Sequence, residues 1–165
     1  MQYQKIFFLI ILISISAVLI SNQLESTDNI SILVNNSGPF IGTSIPYQNG
    51  YDGSGIVVSI IDTGIDLNHP DLEGQIIGGY DFVDNDEIPE DTNGHGTQVA
   101  GIIASNGNLK GIAPNSKILM YKVSEDGESV PSHLIIKAIE KSIEDSADII
   151  NISLGINQTN TKIDQ

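Results

Sequence analysis

Residues 56–64 read IVVSIIDTG, an almost unbroken apolar run that ends at a carboxylate and a glycine. The run has the length of a strand and is rich in β-branched residues, which is typical of a strand buried on both faces. Further strands are predicted at residues 117–123 and 148–152, and helices at residues 97–104 and 132–145. Because strands and helices alternate, the sequence predicts an α/β fold in which helices cover a parallel sheet.

The predicted helix at residues 132–145 has two contrasting faces. Isoleucines recur at helical spacing on the face that we expect to pack against the sheet, and charged residues occupy the face expected in water. The isoleucines are Ile135, Ile136, Ile139 and Ile143, and the charged residues are Lys137, Glu140, Lys141 and Glu144.

Two residues are candidates for catalysis. Binding sites of parallel α/β folds lie beyond the carboxyl ends of the strands, where Asp62 is placed, and His95 lies in NGHGT, which opens a predicted helix. Histidine is the usual general base near neutral pH, and a buried carboxylate fixes its tautomer and stabilises the imidazolium. We predict that Asp62 and His95 form a catalytic pair; each alone is also typical of a turn or helix-start residue.

The neighbours of His95 fit this role. Gly94 and Gly96 remove side chains on either side, so we expect a peptide substrate to approach the imidazole closely. The helix that follows directs its positive end at the ring, and we expect this to favour the neutral form that accepts a proton.

Several segments, in this order, resemble the subtilisin-like serine proteases, the subtilase family. They are VVSIIDTGIDLNHPDL at residues 57–72, NGHGTQVAGIIAS at 93–105, GIAP at 111–114 and DIINISLG at 148–155. The resemblance runs from Tyr51 to Ile156 and covers the N-terminal half of the family's domain. It implies a partial subtilisin-like three-layer fold, a parallel sheet flanked by helices, that lacks the family's C-terminal strands. It also implies that Asp62 and His95 belong to an Asp, His, Ser triad.

The resemblance further implies a peptide-binding edge at Ser153, Leu154 and Gly155. There an extended substrate would pair with the strand through main-chain hydrogen bonds, and Gly155 would leave room for a substrate side chain. The expected partner is therefore a protein or peptide substrate.

The chain departs from the family pattern at the third triad member. The family's oxyanion asparagine and its GTSMA serine segment lie downstream of SLG, where this chain has residues 156–165, and neither is present there. Ser44 lies in GTS, but it precedes Asp62 instead of following His95, and we expect Pro46 to prevent the helix that a nucleophilic serine begins. A smaller departure is Gln98, where the family usually has a second histidine.

The leading hypothesis is therefore the N-terminal part of an exported subtilisin-like endopeptidase, which is inert alone because the serine is absent. The alternative is a non-catalytic exported peptide-binding module of subtilase origin. A metal-dependent hydrolase is disfavoured because no H-x-x-x-H or comparable ligand spacing occurs in the sequence.

Calcium is the metal that the sequence favours, in an acidic loop at residues 81–91. Calcium takes about six to eight oxygen ligands. The candidate ligands are the side chains of Asp81, Asp86 and Glu90 and the carbonyl of Ile88. The stretch also resembles the calcium loop of thermitase-like subtilases; the alternative is a solvated acidic loop. Asp71 matches a carboxylate of another calcium site of the family, but the loop that completes that site, residues 105–110, is shortened here.

The composition limits the partners. Among 165 residues, 21 are acidic and 7 are basic, all lysine, so the net charge is −14. This charge repels phosphate backbones and anionic lipid surfaces, which excludes nucleic acid as a partner. Because cysteine is absent, packing or bound ions must supply any stability beyond that of the core.

The N-terminus has the pattern of an export leader. Lys5 precedes an apolar stretch from Ile6 to Ile20, which is shorter than the roughly 20 residues that span a bilayer. We predict a secreted or extracytoplasmic protein that contacts a membrane only through this stretch if it is uncleaved. The predicted domains are a signal peptide or membrane anchor at 1–21, a linker or extended arm at 22–50, a partial peptidase domain at 51–156 and a polar tail at 157–165.

Overall fold

The structure, a computed structural model, describes residues 43–127 and 130–154. Its strands are β1 (Val57–Asp62), β2 (Ile76–Asp81), β3 (Lys117–Lys122) and β4 (Ile149–Ile152). Its helices are α1 (Ser44–Gln48), α2 (His95–Ala104) and α3 (Ser132–Glu144), and a short 3-10 helix spans Pro70–Leu72. The described strands form one parallel sheet in the order β2-β3-β1-β4. The predicted α/β fold, a parallel sheet flanked by helices, is confirmed.

The central strand β1 contributes to two hydrophobic cores. Val58 and Ile60 pack in the core that includes Ala100 of α2. Ile61 packs in the other core, which includes Ala138 of α3. Since successive side chains of a strand point to opposite faces, the sheet is the middle of three layers.

The strand register brings the predicted site residues to one edge of the sheet. Asp62 pairs with Lys122 of β3, and Ile61 pairs with Ile152 of β4. Because the strands are parallel, Asp62 and the segment that follows Ile152 both lie at the carboxyl edge.

Strand β2 differs from the expectation, because the sequence predicts no strand at residues 76–81. Its centre is Gly78-Gly79, and glycine disfavours strands because it has no side chain to pack. A Cβ on Gly79 would lie 2.0 Å from the carbonyl oxygen of Met120 in β3. Close approach of the neighbouring strand, which local sequence does not report, therefore explains Gly79.

Pro46 does not prevent a helix, so that expectation is wrong. Helix α1 begins at Ser44, inside the predicted linker, and Pro46 is its third residue. The first N–H groups of a helix have no partner within it, so proline is tolerated there. The Tyr47 hydroxyl donates to the Ile112 carbonyl at 2.7 Å, which ties α1 to the domain.

The buried face of α3 also differs from the predicted one. Ile136 and Ile143 are 55% and 66% exposed, whereas Ala138 and Ser142 are fully buried. The hydroxyl oxygens of Ser142 and Ser59 lie 2.6 Å apart, so α3 meets β1 through small side chains. The prediction that Ile136 and Ile143 face the sheet is wrong because the close helix–strand contact selects small residues.

Some predicted segments lie outside the described residues. They are the leader or anchor at 1–21, the arm as far as residue 42, the tail at 157–165 and Gly155 of the peptide-binding edge. In residues 43–127 and 130–154, the helices are too short or too polar to cross a bilayer.

Candidate active site

The side chains of Asp62 and His95 are in contact. Asp62 ends β1, and His95 is the first residue of α2. The His95 Nδ1–H donates to Asp62 Oδ1 at 2.7 Å. The Asp62 side chain is fully buried and the imidazole is 33% exposed. Since a carboxylate only accepts, Nδ1 carries the hydrogen and Nε2 is left to accept a proton.

The Asp62 carboxylate depends on His95 for charge compensation. The Thr63 N–H donates to Oδ1 at 2.8 Å. The other oxygen, Oδ2, is buried and has no hydrogen-bond partner among the described residues. A buried carboxylate favours a positive charge beside it, so a protonated imidazole is stabilised here.

Gly96 is required by packing within the protein, whereas the sequence suggested that it leaves room for a substrate. It is buried in the first turn of α2, and a Cβ there would lie 2.1 Å from the Gly64 carbonyl oxygen. The turn after Asp62 and the start of α2 therefore touch backbone to backbone, which sets the approach of His95. At Gly94 a Cβ would meet nothing within 4 Å, as expected for an open side of the ring.

Gly96→Ala is expected to destabilise the fold by more than about 3 kcal/mol, because the methyl group would force two backbones apart. Urea unfolding followed by circular dichroism measures the loss. Gly101→Ala is the matched control in the same helix, since its Cβ would come no closer than 3.3 Å, to the Ser105 hydroxyl. Equal stability of the two variants would contradict the described docking of α2.

Two carboxylates raise the pKa of His95. The hydrogen bond to Asp62 raises the pKa above 6.5, burial of the ring works against this, and the charges of Asp62 and Asp91 add to the rise. The expectation that the helix end favours a neutral ring is wrong in net effect, because two full negative charges outweigh the partial charge of a helix N-terminus. A base needs this stabilisation once it has accepted a proton.

Because the pKa of His95 is raised in the folded state, the free energy of unfolding is expected to fall as the pH rises. The pKa of the folded state lies above the unfolded value of about 6.5. The stabilisation is therefore fully present below the unfolded pKa and is lost as the pH rises through the folded pKa. Urea unfolding between about pH 5 and pH 9 measures it. His95→Gln is expected to remove this part of the pH dependence; identical profiles would refute the linkage.

Asp91 organises the loop before His95, a role that the sequence did not suggest. Its half-buried carboxylate accepts hydrogen bonds from the Thr63 hydroxyl at 3.0 Å, the Gly94 N–H at 2.8 Å and the Thr97 N–H at 2.9 Å. Burial alone would raise the Asp91 pKa, but the hydrogen bonds from Thr97, Gly94 and Thr63 lower it below its usual value. The missed signal is an aspartate just before a helix start, where carboxylates commonly cap N–H groups.

Residues 53–165 match the family model of the subtilases. The chain belongs to the subtilase family. It is 44% identical over 142 residues to the minor extracellular protease Vpr of Bacillus subtilis, covering 79% of this chain. It is 40% identical over 118 residues to thermitase of Thermoactinomyces vulgaris and 46% identical over 118 residues to the major intracellular serine protease of Bacillus subtilis, covering 69% and 66% of this chain. The matches span 18%, 42% and 37% of the lengths of these relatives.

The acidic loop of this subtilase chain is closed by a lysine and by its own hydrogen bonds. Asp81 Oδ1 accepts from the N–H groups of Val83 at 2.7 Å and Asp84 at 3.0 Å. Asp81 Oδ2 lies 3.2 Å from the buried Lys122 ammonium, which also pairs with Glu125 at 2.9 Å. Burial alone would lower the Lys122 pKa, but the bonds to Glu125 and Asp81 raise it, so the lysine stays charged.

The acidic loop fits calcium by donor type and only partly by position. The backbones of Asp81 and Asp86 exchange two hydrogen bonds, of 2.8 and 3.1 Å, which places the two residues side by side. Asp86 Oδ1 accepts from the Ile88 N–H at 2.8 Å, and the Ile88 carbonyl accepts from the Glu90 N–H at 2.7 Å. In the described part of the chain, no group of three or more His, Cys, Asp or Glu side chains is arranged to hold a metal ion. The calcium site stays a prediction.

Asp71 holds the shortened loop of this subtilase chain. Its buried carboxylate accepts from the N–H groups of Asn108 at 2.7 Å and Leu109 at 3.4 Å, and its carbonyl accepts from the Asn106 N–H at 2.8 Å. Backbone N–H groups thus lie where a cation would approach. Asp71 thus has partners that close the shortened loop, and a calcium ion at this position stays a prediction of the resemblance.

Ser153 and Leu154 follow β4 at the carboxyl edge. The Ser153 hydroxyl accepts from the Asn151 side-chain amide at 2.9 Å, and Leu154 packs against the α3-side core. Strand β4 is the outermost on its side of the described sheet, so its outer edge presents backbone groups within this part of the chain.

Proposed function

We propose that this chain carries the aspartate and histidine of a subtilisin-like serine endopeptidase. The observation that carries the proposal is the 2.7 Å hydrogen bond between the buried carboxylate of Asp62 and the partly exposed imidazole of His95. Membership of the subtilase family supports peptide-bond hydrolysis as the reaction. The nucleophilic serine would come from a segment outside the described residues.

In this mechanism His95 transfers one proton in each of two steps, acylation and deacylation. Its Nε2 accepts the proton of the serine hydroxyl as the oxygen attacks the peptide carbonyl, and then donates it to the leaving amine. Water then attacks the acyl-enzyme: His95 takes a proton from the water and gives it to the serine oxygen as the ester bond breaks and the acid product leaves. Asp62 holds Nδ1–H at 2.7 Å and stabilises each imidazolium electrostatically without itself being protonated.

Substrate would bind along the edge at Ser153, Leu154 and Gly155. Ser153 and Leu154 directly follow β4, whose carboxyl end lies beside that of β1, and this closeness to Asp62 supports main-chain pairing of an extended peptide there. Such pairing would present a peptide bond of a protein substrate next to His95.

A chimaera tests the proposal. Residues 53–155, which include the proposed substrate edge, are joined to the part of thermitase that follows the position equivalent to Gly155, and hydrolysis of a chromogenic peptide is measured. We expect turnover that a serine-directed phosphonate inhibitor abolishes. A chimaera that melts cooperatively and binds peptide but hydrolyses nothing would overturn the proposal and favour the alternative, a non-catalytic exported peptide-binding module.

Calcium is proposed as a structural ion, apart from the reaction. Asp86 and Glu90 are exposed, and with the Ile88 carbonyl they would supply oxygen ligands. Asp81 would join them by exchanging its contact with Lys122 for the ion. Millimolar calcium is expected to raise the melting temperature of the chain relative to EGTA, since a ligand that binds the folded state stabilises it. Asp86→Asn should remove the rise. Superimposable melting curves in calcium and EGTA would reject the site.

Export is proposed on the leader pattern at residues 1–21. One relative is extracellular by name and another intracellular, so the family alone does not assign a compartment. Fractionation of cells that express the full chain tests this proposal, and recovery in the cytosol with the leader intact would oppose it.

A further inference from the structure

We propose that Asp91 is a positioning residue for His95, because its carboxylate joins the loop before His95 to the turn after Asp62. The inference rests on the proposed peptidase function, in which the contact between His95 and Asp62 must be maintained. It concerns a residue that touches neither substrate nor the reacting atoms.

The Asp91 carboxylate is an acceptor for donors on both sides of His95. Oδ1 accepts from the Asn93 N–H at 3.1 Å and the Gly94 N–H at 2.8 Å, just before His95. Oδ2 accepts from the N–H of Thr97 at 2.9 Å and from its hydroxyl at 2.5 Å, just after His95. One carboxylate thus fixes the chain on both sides of the imidazole.

The same carboxylate is connected to the chain that carries Asp62. The Thr63 hydroxyl donates to Asp91 Oδ1 at 3.0 Å and accepts from the Gly96 N–H at 3.0 Å. The Thr97 hydroxyl donates to Asp91 and accepts from the Asp66 N–H at 2.9 Å. Thr63 and Asp66, which both follow Asp62 in the chain, are therefore bonded to the start of α2 through the two threonine hydroxyls that donate to Asp91.

The start of α2 needs this carboxylate. Its N-cap is Gly94, in a left-handed conformation with φ 98° and without a side chain to cap the helix. The first N–H groups of a helix have no partner within it. Asp91 accepts the N–H of Thr97, and Thr63, which Asp91 orients, accepts that of Gly96. Without the carboxylate the Thr97 N–H loses its acceptor and the Thr63 hydroxyl loses the group that orients it, so the first turn, which carries His95, is free to shift.

Asp91 also acts on the ring electrostatically. Asp62 and Asp91 are the charged groups that raise the pKa of His95, Asp62 mainly through its hydrogen bond and Asp91 through its charge. Removal of the Asp91 charge is therefore expected to lower the His95 pKa even if the ring stays in place.

Proton NMR of the full 165-residue chain tests the proposal. The readouts are the low-field Nδ1 proton of His95, assigned by its loss in His95→Gln, and the titration of the His95 ring. In Asp91→Asn we expect the Nδ1 proton to exchange with water about tenfold faster or more, because the charge-assisted hydrogen bonds that hold the chain on both sides of His95 are weakened. We also expect the titration midpoint to move to lower pH.

Asp145→Asn is the matched control. It makes the same chemical change at a carboxylate that accepts from the Tyr121 hydroxyl and pairs with Lys141, in a different part of the fold. In this variant the exchange of the His95 Nδ1 proton and the titration midpoint of the His95 ring should match those of the parent chain. If Asp91→Asn does not fold, Thr97→Val provides the Nδ1 exchange readout, because it removes the hydroxyl bond to Asp91 and keeps the carboxylate with its other bonds. An unchanged exchange rate in folded Thr97→Val would then count against the positioning role.

A folded Asp91→Asn chain with an unchanged Nδ1 proton and an unchanged midpoint would overturn the positioning role. These readouts need no peptidase activity. An inactive chimaera would therefore count against the proposed function and leave the test of Asp91 intact. An active chimaera together with unchanged NMR readouts in Asp91→Asn would support the proposed function and reject the positioning role of Asp91.

Discussion

His95→Ala is expected to lower kcat of the thermitase chimaera by about a million-fold, the magnitude known for loss of this residue in subtilisin, a member of the same family. Without Nε2 no group accepts the proton of the serine hydroxyl, so the attacking oxygen stays neutral and weakly nucleophilic. In the proposed mode substrate binds along the strand edge and not through His95, so KM is expected to change little. Steady-state hydrolysis of a chromogenic peptide measures both constants.

His133→Ala is the control for this prediction. His133 is exposed near the start of α3 and has no assigned role in the reaction, so kcat should be retained. A folded His95→Ala chimaera that loses less than about tenfold in kcat would show that another group is the base.

Asp62→Asn is expected to lower kcat of the same chimaera by about ten-thousand-fold, as in serine proteases generally. The amide of an asparagine can donate to Nδ1, which favours the ring tautomer with its hydrogen on Nε2 and removes the lone pair that accepts a proton. Loss of the Asp62 hydrogen bond and charge also removes the main cause of the raised His95 pKa. The variant should therefore show a low kcat together with a lower ring pKa.

The tautomer can be read directly. Nitrogen NMR of His95 in the chain distinguishes a protonated Nδ1 from a protonated Nε2, so the structural cause is measured apart from the rate. Asp145→Asn is again the matched control and should change neither. Full activity in Asp62→Asn would mean that the 2.7 Å contact is a packing feature without catalytic importance.

Strand β1 could be predicted because its local pattern and its tertiary environment agree. A β-branched apolar run suits a strand covered on both faces, and it is covered on both faces. Strand β2 could not be predicted, because Gly78 and Gly79 disfavour a strand locally. Gly79 is required there because the Met120 backbone leaves no space for a side chain.

The face of α3 shows the same limit. Periodicity correctly gives a helix, but it gives the buried stripe only to within one or two positions, and large isoleucines dominate the pattern. The contact between Ser59 and Ser142 selects small residues where helix and strand meet, so Ile136 and Ile143 remain exposed.

The sequence by itself determined the alternation of strands and helices, the family, and the pair Asp62 and His95, because apolar periodicity and contiguous motifs are local properties of the chain. Only the tertiary structure decided what surrounds that pair. The backbone contact of Gly96 with Gly64, the network of Asp91 and the net upward shift of the His95 pKa all depend on distances between segments far apart in the chain. Hydrogen bonds and charges act over a few ångströms in space, and a sequence orders residues only along the chain.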